Sequence, residues 1–181
     1  DNLFDIFDEL LGDYSFDDHK RLIEIIRSAK ADMEDSIVPH GNHYVLARLQ
    51  SYQSRLGQFD ELTDGITYYR FLEQLLERVE KNPEEVAGQF KQVAERVFTR
   101  KNALFNITSD QKDYRKIEKR IAGTVSTLSD KEWKVEEWNL TAKPLNEGFL
   151  TASNVQHVGK GANLYDLGFK YSGTFEVLKA L

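Results

Sequence analysis

Two histidines three residues apart, His40 and His43, are the first candidates for chemistry in this chain. A zinc site would need both rings on one helical face, a third ligand and a position for water. Helical zinc motifs carry His at a spacing of four with a Glu base, or read HxxEH; here the letters are HGNHY, with Gly41 and Asn42 where an acid would sit. Pro39 and Gly41 also argue against a regular helix before Asn42. The pair therefore reads as corner capping or core hydrogen bonding. His19, beside Asp17 and Asp18 at a helix start, reads as local charge pairing, and His157 has no acid near it in sequence. Nucleophilic catalysis finds no better footing, because Cys is absent and no Ser stands in a GxSxG elbow. Gly159 and Gly161 of VGKGAN lack Walker spacing and a following Ser or Thr, so they read as a turn. The acids Glu34 and Asp35, Asp60 and Glu61, Glu136 and Glu137 come as neighbours, which point apart on a helix. No catalytic, cofactor-binding or metal-ligating residue is assigned.

Composition narrows the classes further. The chain has 181 residues, 40% hydrophobic and 30% charged, the profile of an ordinary folded protein. A net charge of −6 works against nucleic acid as a partner, since phosphate contacts need Lys and Arg gathered on one face. The densest basic patch, Arg115, Lys116, Lys119 and Arg120, reads as a solvated helix face opposite an apolar stripe. No apolar run reaches the roughly 18 to 20 residues that a membrane span needs, and no signal sequence is visible. Neither a membrane nor a nucleic acid is expected as a partner. The lack of Cys fits an intracellular setting, cytoplasm or organelle matrix.

The elements that would position any site are mostly helices. Pro39 to Asn82 is central: Val45, Leu49, Tyr52 and Leu56 keep helical spacing, and after a break at Gly57 the set Ile66, Tyr69, Leu72, Leu76 and Val79 resumes it. This predicts a helical hairpin. Before it, Asp1 to Leu11 reads as a helix stopped by Gly12, and Leu22, Ile26, Ala29, Met33 and Ile37 mark another, capped by Ser15 or Asp17. Asn82, Pro83, Glu84 and Glu85 spell a helix start, with Val86, Phe90, Val93 and Val97 as its buried stripe. Ala103 to Thr108 is short, apolar and partly alternating, which predicts a strand; Asp110 then caps a helix bearing Tyr114, Ile117, Ile121, Val125 and Leu128. Ser129 to Pro144, with Trp133 and Trp138, reads as an ordered crossover. A second strand is expected over Asn154 to Lys160, then a turn-rich loop and a helix from Phe169 to Leu181, with Ser172 as a candidate cap. Apolar patterns run up to both ends, Leu3 to Leu11 and Phe175 to Leu181, so a piece of a longer protein is expected. The fold class expected is α+β, mostly helical with a few strands.

A family pattern runs through these same residues. SIVPHGNHYVLARLQSYQSRLGQFDELTDGITYYRFLEQL resembles a Ser and a Gly-His corner leading into Tyr-Ala-x-x-Arg, a Ser-rich segment, then Gly-Ile or Gly-Leu, Ser or Thr, Tyr and Phe-Leu. ALFNITSD is similar to Leu-x-Val-Ser-x-Thr-Gly-Asp, and NEGFLTASNVQHVGKGANLYDLGFKYSGTFEVLKAL to Asn-Glu-x-Phe, Val-Gln-Tyr-Val-x-Lys-Gly and Tyr-Ser-Gly. In that order, these segments resemble the associated region of presequence-protease-like enzymes, a branch of the insulinase (pitrilysin) family of zinc metalloendopeptidases. Departures are Ser109 for the Gly before Asp110, His157 for the Tyr, and Asn42 inserted between Gly41 and His43. The HxxEH zinc motif does not occur in these residues.

The resemblance implies a non-catalytic piece of the C-terminal half of a clam-shaped peptidase, forming part of the wall or lid of its peptide-degrading chamber. It implies residues 1–128 as the latter part of one insulinase-like α+β domain, 129–144 as a crossover and 145–181 as the start of the next. The partners implied are the N-terminal catalytic half of the parent polypeptide and that enzyme's peptide substrates. Zinc would be the parent's cofactor, held outside this chain, and the chain alone would be inactive. A self-contained helical module that binds a partner through its aromatic surface is the alternative.

Overall fold

Asp18, Ser54, Asn82 and Asp110 each begin a helix in the same way: the side-chain oxygen accepts a backbone N–H three residues on. The donors are Arg21 at 2.9 Å, Gly57 at 2.9 Å, Glu85 at 3.3 Å and Asp113 at 2.8 Å. Each bond satisfies one amide that the helix itself leaves unpaired. A computed structural model describes residues 2–140 and 143–180. Asp1 and Leu181, assigned to the terminal helices, and Thr141 and Ala142, assigned to the crossover, lie outside the described residues.

The elements are α1 (Asn2–Gly12), α2 (His19–Ile37), α3 (Gly41–Ser51), α4 (Arg55–Asp64), α5 (Ile66–Lys81), α6 (Pro83–Val97), a 3-10 turn (Arg100–Asn102), α7 (Gln111–Thr127) and α8 (Thr174–Ala180). No strand occurs among the described residues, so the protein is helical and the expected α+β class is overturned. Ala103 to Thr108 and Asn154 to Lys160 carry strand-like patterns, yet neither meets a pairing partner. Alternation marks a surface, whereas a strand exists only as a ladder that satisfies its backbone. Only an isolated parallel bridge, Thr99 with Ser129, is present among the described residues.

The chain divides into two compact units, Asp1–Arg27 with Leu75–Glu137, and Ser28–Gln74 with Trp138–Leu181. In the first, Leu22, Ile26, Leu75, Val79, Val86 and Ala87 form the core, with Phe16, Ile23, Leu76 and Phe90 packed on it. Helix α6 buries Val86, Ala87 and Ala94, while Val93 and Val97 are exposed. Small Ala side chains, which carry little pattern signal, take the place of the expected Val pair. Helix α1 meets α7 through Arg120, which pairs with Asp5 at 2.5 Å and Asp8 at 3.6 Å, and Thr124 donates to Asp8 at 2.5 Å. Arg120 therefore belongs to a helix contact and not to a solvated basic face.

Arg100 closes the end of α7. Its guanidinium donates to the carbonyls of Val125 at 3.2 Å, Ser126 at 3.2 Å and Leu128 at 3.3 Å, and pairs with Asp130 at 2.7 Å. These carbonyls lie where a helix end exposes acceptors and negative potential. Arg100→Gln is expected to lower the stability of this unit by about 1–2 kcal/mol, read as faster amide exchange in the last turn of α7.

In the second unit Met33, Tyr44, Ile66 and Leu72 are buried, with Ala29, Ile37, Tyr68 and Tyr69 against them. The predicted hairpin is three helices and not two. The first break falls at Tyr52 to Ser54, where Ser54 caps α4, so Gly57 lies inside α4 and the second break is at Gly65. Gly57 has its use elsewhere: a Cβ there would strike the carbonyl of Gln50, so its absence lets α4 fold back onto the end of α3.

Candidate functional site

The corner between α3 and α4 and the turn into α5 bring Arg48, Glu61 and Thr67 together. Arg48 Nη1 donates to Glu61 Oε1 at 3.0 Å and to Thr67 Oγ1 at 3.0 Å. The Thr67 amide and hydroxyl donate to the same Glu61 oxygen at 2.9 and 3.0 Å. The Glu61 side chain is only 3% exposed, a depth at which an unpaired carboxylate would be strongly disfavoured. Its other oxygen, Oε2, meets no donor among the described residues and lies against Gly65, where any Cβ would collide with it.

The remaining edge of the guanidinium holds Glu147, 99 residues away in sequence: Nε donates to Oε2 at 2.7 Å and Nη2 to Oε1 at 2.9 Å. This two-point fork is the strong geometry for Arg and carboxylate. The Tyr52 hydroxyl donates to Glu147 as well, and the Arg48 guanidinium lies 5.3 Å from the Tyr52 ring centre and 6.0 Å from that of Phe149. Arg70 approaches the Phe149 ring at 5.6 Å. The hydrogen bond from Arg48, reinforced by Tyr52 and by the charge of Arg70, outweighs burial and holds the Glu147 carboxyl down at about 2. Burial and its bond to Glu147 push the Tyr52 hydroxyl up.

Around this clasp the irregular chain from residue 143 to 163, with Trp138 before it, forms a strap on α3 and α4. Trp138 packs on Phe59 with ring centres 6.2 Å apart, and its carbonyl accepts from Arg55 at 3.3 Å. Further on, the His157 ring covers Gly41, Gly159 sits against Val45 and Leu49, and Asn163 donates to the Gln53 carbonyl at 3.1 Å. A Cβ on Gly159 would come within 2.5 Å of Val45 Cγ1 and 2.6 Å of Leu49 Cδ1, closer than real contacts allow. The glycines of VGKGAN thus serve close packing.

The clasp has a pH dependence whose sign follows from Glu147. A carboxyl held at about 2 instead of its ordinary 4.5 binds a proton less readily when docked, so docking is stabilised above about pH 4.5 and weakens as pH falls towards 2. Carbon-13 NMR of the Glu147 carboxyl is expected to show a midpoint near 2, well below that of exposed Glu residues.

The histidines are placed apart from this clasp. His40 precedes α3 and its Nδ1–H donates to the Ser36 carbonyl at 3.1 Å, while the His43 ring sits edge-on to Tyr44 at 5.7 Å. Gly41 and Asn42 lie in the first turn of α3, so the helix does begin before Asn42. His19 opens α2 and its amide donates to the Asp17 carbonyl at 2.9 Å. Among the described residues no group of three His, Asp or Glu is placed to hold a metal ion. Sequence reasoning missed Arg48 and Glu147, although both lie in segments that carried the resemblance, VLAR and NEGF.

Fold and site together define a helical, peptidase-associated region. Residues 1–75 match the associated family of peptidase M16, subfamily C, and the chain is a presequence-protease-like region of M16 type. It is 29% identical to Protein HypA of Clostridium perfringens (strain 13 / Type A) over 177 residues, covering 98% of this chain and 18% of that protein. It is 25% identical over 179 residues to presequence protease 1, chloroplastic/mitochondrial, of Arabidopsis thaliana, covering 98% of this chain and 17% of that enzyme. To the mitochondrial presequence protease of Yarrowia lipolytica (strain CLIB 122 / E 150) it is 25% identical over 112 residues, 61% of this chain and 11% of that one. The chain spans less than a fifth of the length of these relatives. No described helix is long and apolar enough to cross a membrane.

Proposed function

We propose that this chain is a non-catalytic region of a presequence-protease-like zinc metalloendopeptidase, where it forms part of the wall of the peptide-degrading chamber. Zinc, and the Glu that activates its water, belong on this reading to the catalytic half of the parent polypeptide, which with its peptide substrates makes up the partners of this region. The residues here do not fit a zinc site: HxxEH does not occur in the 181 residues, and the described ones offer no cluster of ligands. No catalytic step is assigned to them. An organelle matrix or the cytoplasm is the setting proposed.

One observation carries the reading. Three separated segments of the family resemblance, Val45 to Arg48, Asn146 to Phe149 and Val155 to Gly161, meet on one helix in one docking arrangement. Exposed area supports a larger setting. The chain leaves 14450 Å² accessible, against about 9,000 Å² expected for a folded monomer of 20.9 kDa. Much of the excess is apolar, including Leu3, Ile6 and Leu10 on α1 and Leu150 and Val158 on the strap. The test compares hydrolysis of an unstructured peptide by the whole polypeptide that carries this region and by these 181 residues alone. Chelator-sensitive cleavage by the whole and none by the part is expected; chelator-sensitive cleavage by the part would overturn the reading.

A further inference from the structure

The Arg48 clasp is built like a receptor with a resident ligand. Glu61 and Thr67 hold Nη1 without help from the strap, so the opposite edge, Nε and Nη2, stays aimed at the place of the Glu147 carboxylate whether or not the strap is there. The Tyr52 hydroxyl adds a third donor at that place, and Arg70, on α5 beside Phe149, adds a second positive charge. Against the single negative charge of Glu61, an empty clasp would carry net positive charge in a partly buried setting, the chemistry of anion recognition. The fork geometry further selects a planar carboxylate.

We propose that Arg48, Tyr52 and Arg70 form a carboxylate-binding site, filled in cis by Glu147 and open to an external carboxylate, a peptide's C-terminus or acidic side chain, when the strap lifts. The inference goes beyond the peptidase reading and does not depend on it. In the resting protein an external acid competes with a tethered one present at an effective concentration of roughly millimolar or more. Removing the resident carboxylate exposes the intrinsic affinity.

The test uses the protein with Glu147→Gln, which keeps the shape of the strap residue and removes its charge. Four probes are titrated: acetyl-Asn-Glu-Gly-Phe-Leu-amide, its Gln counterpart, acetyl-Ala-Ala-Phe with a free carboxyl end, and the amide of that tripeptide. The variant is expected to bind an acid probe at least tenfold tighter than its neutral twin, and at least tenfold tighter than the unsubstituted protein does. Preference for the Glu peptide assigns a side-chain ligand, and preference for the free tripeptide a C-terminus. Arg70→Gln added to Glu147→Gln should weaken the acid probes and leave the neutral ones unchanged. A second readout needs no variant: in the unsubstituted protein, the Arg48 Nε–Hε resonance should shift with acid probes at millimolar concentration and not with neutral ones. Equal binding of acid and neutral probes, or an Arg48 resonance that acid probes leave in place, would overturn the proposal.

Discussion

Replacement of Arg48 by Ala is expected to raise amide exchange across α3 and α4 by about a hundredfold, a loss of about 3 kcal/mol of local stability. The size follows from what stays behind. Glu61, with its side chain 3% exposed, keeps the two Thr67 donors but loses its only paired cation among the described residues, and Glu147 loses both arms of the fork. Breaking a buried pair from one side costs about 3–5 kcal/mol, and the 18% exposure of Arg48 places this case at the lower end. Arg48→Met with Glu61→Leu removes both charges, and most of the loss should return, because the dominant cost is a stranded carboxylate and not a missing attraction. A single substitution that leaves α3 and α4 exchange unchanged would show that Glu61 is not held by Arg48 in solution.

Why this pair stayed invisible in the sequence is a matter of range. Asn82 with Pro83, and Asp110, announce their helices because a cap needs only the next three residues, and both are where the pattern puts them. The stripe of α2 is equally local; its cap is Asp18, the neighbour of the expected Asp17. Ala103 to Thr108 and Asn154 to Lys160 misled because a strand depends on a second strand, about which local alternation is silent. Gly57 misled differently: glycine weakens helices on average, yet here a helix runs through it, since the contact with Gln50 outweighs propensity. Arg48 and Glu147 are 99 residues apart and neither is unusual for its surroundings. What marked them was the resemblance, whose motifs VLAR and NEGF meet in space at the clasp. Family patterns record such contacts without saying that they are contacts.

Gly57→Ala and Gly88→Ala are expected to move stability in opposite directions, although both replace a glycine inside a helix. By propensity alone each should gain about 0.5–1 kcal/mol, because Ala gives up less backbone freedom on folding than Gly. At Gly88, in α6, nothing lies within 4 Å of the added methyl, so that gain should appear in full. At Gly57 the new Cβ would overlap the carbonyl carbon and oxygen of Gln50 and come within 3.0 Å of its Cβ. That carbonyl cannot step aside freely, because it accepts from Gln53 N at 2.9 Å and Ser54 N at 3.1 Å, the bonds that turn the chain from α3 into α4. Overpacking against backbone costs about 1–3 kcal/mol or more, which exceeds the propensity gain, so a net loss of about 2 kcal/mol is expected. Because the clasp takes Arg48 from α3 and Glu61 from α4, the loss should reach the site: strap amides near Glu147 should exchange faster in Gly57→Ala and at the native rate in Gly88→Ala. If Gly57→Ala stabilises the protein as Gly88→Ala does, the helices do not approach as closely as the structure has them, and Arg48 and Glu61 are not brought together by this corner.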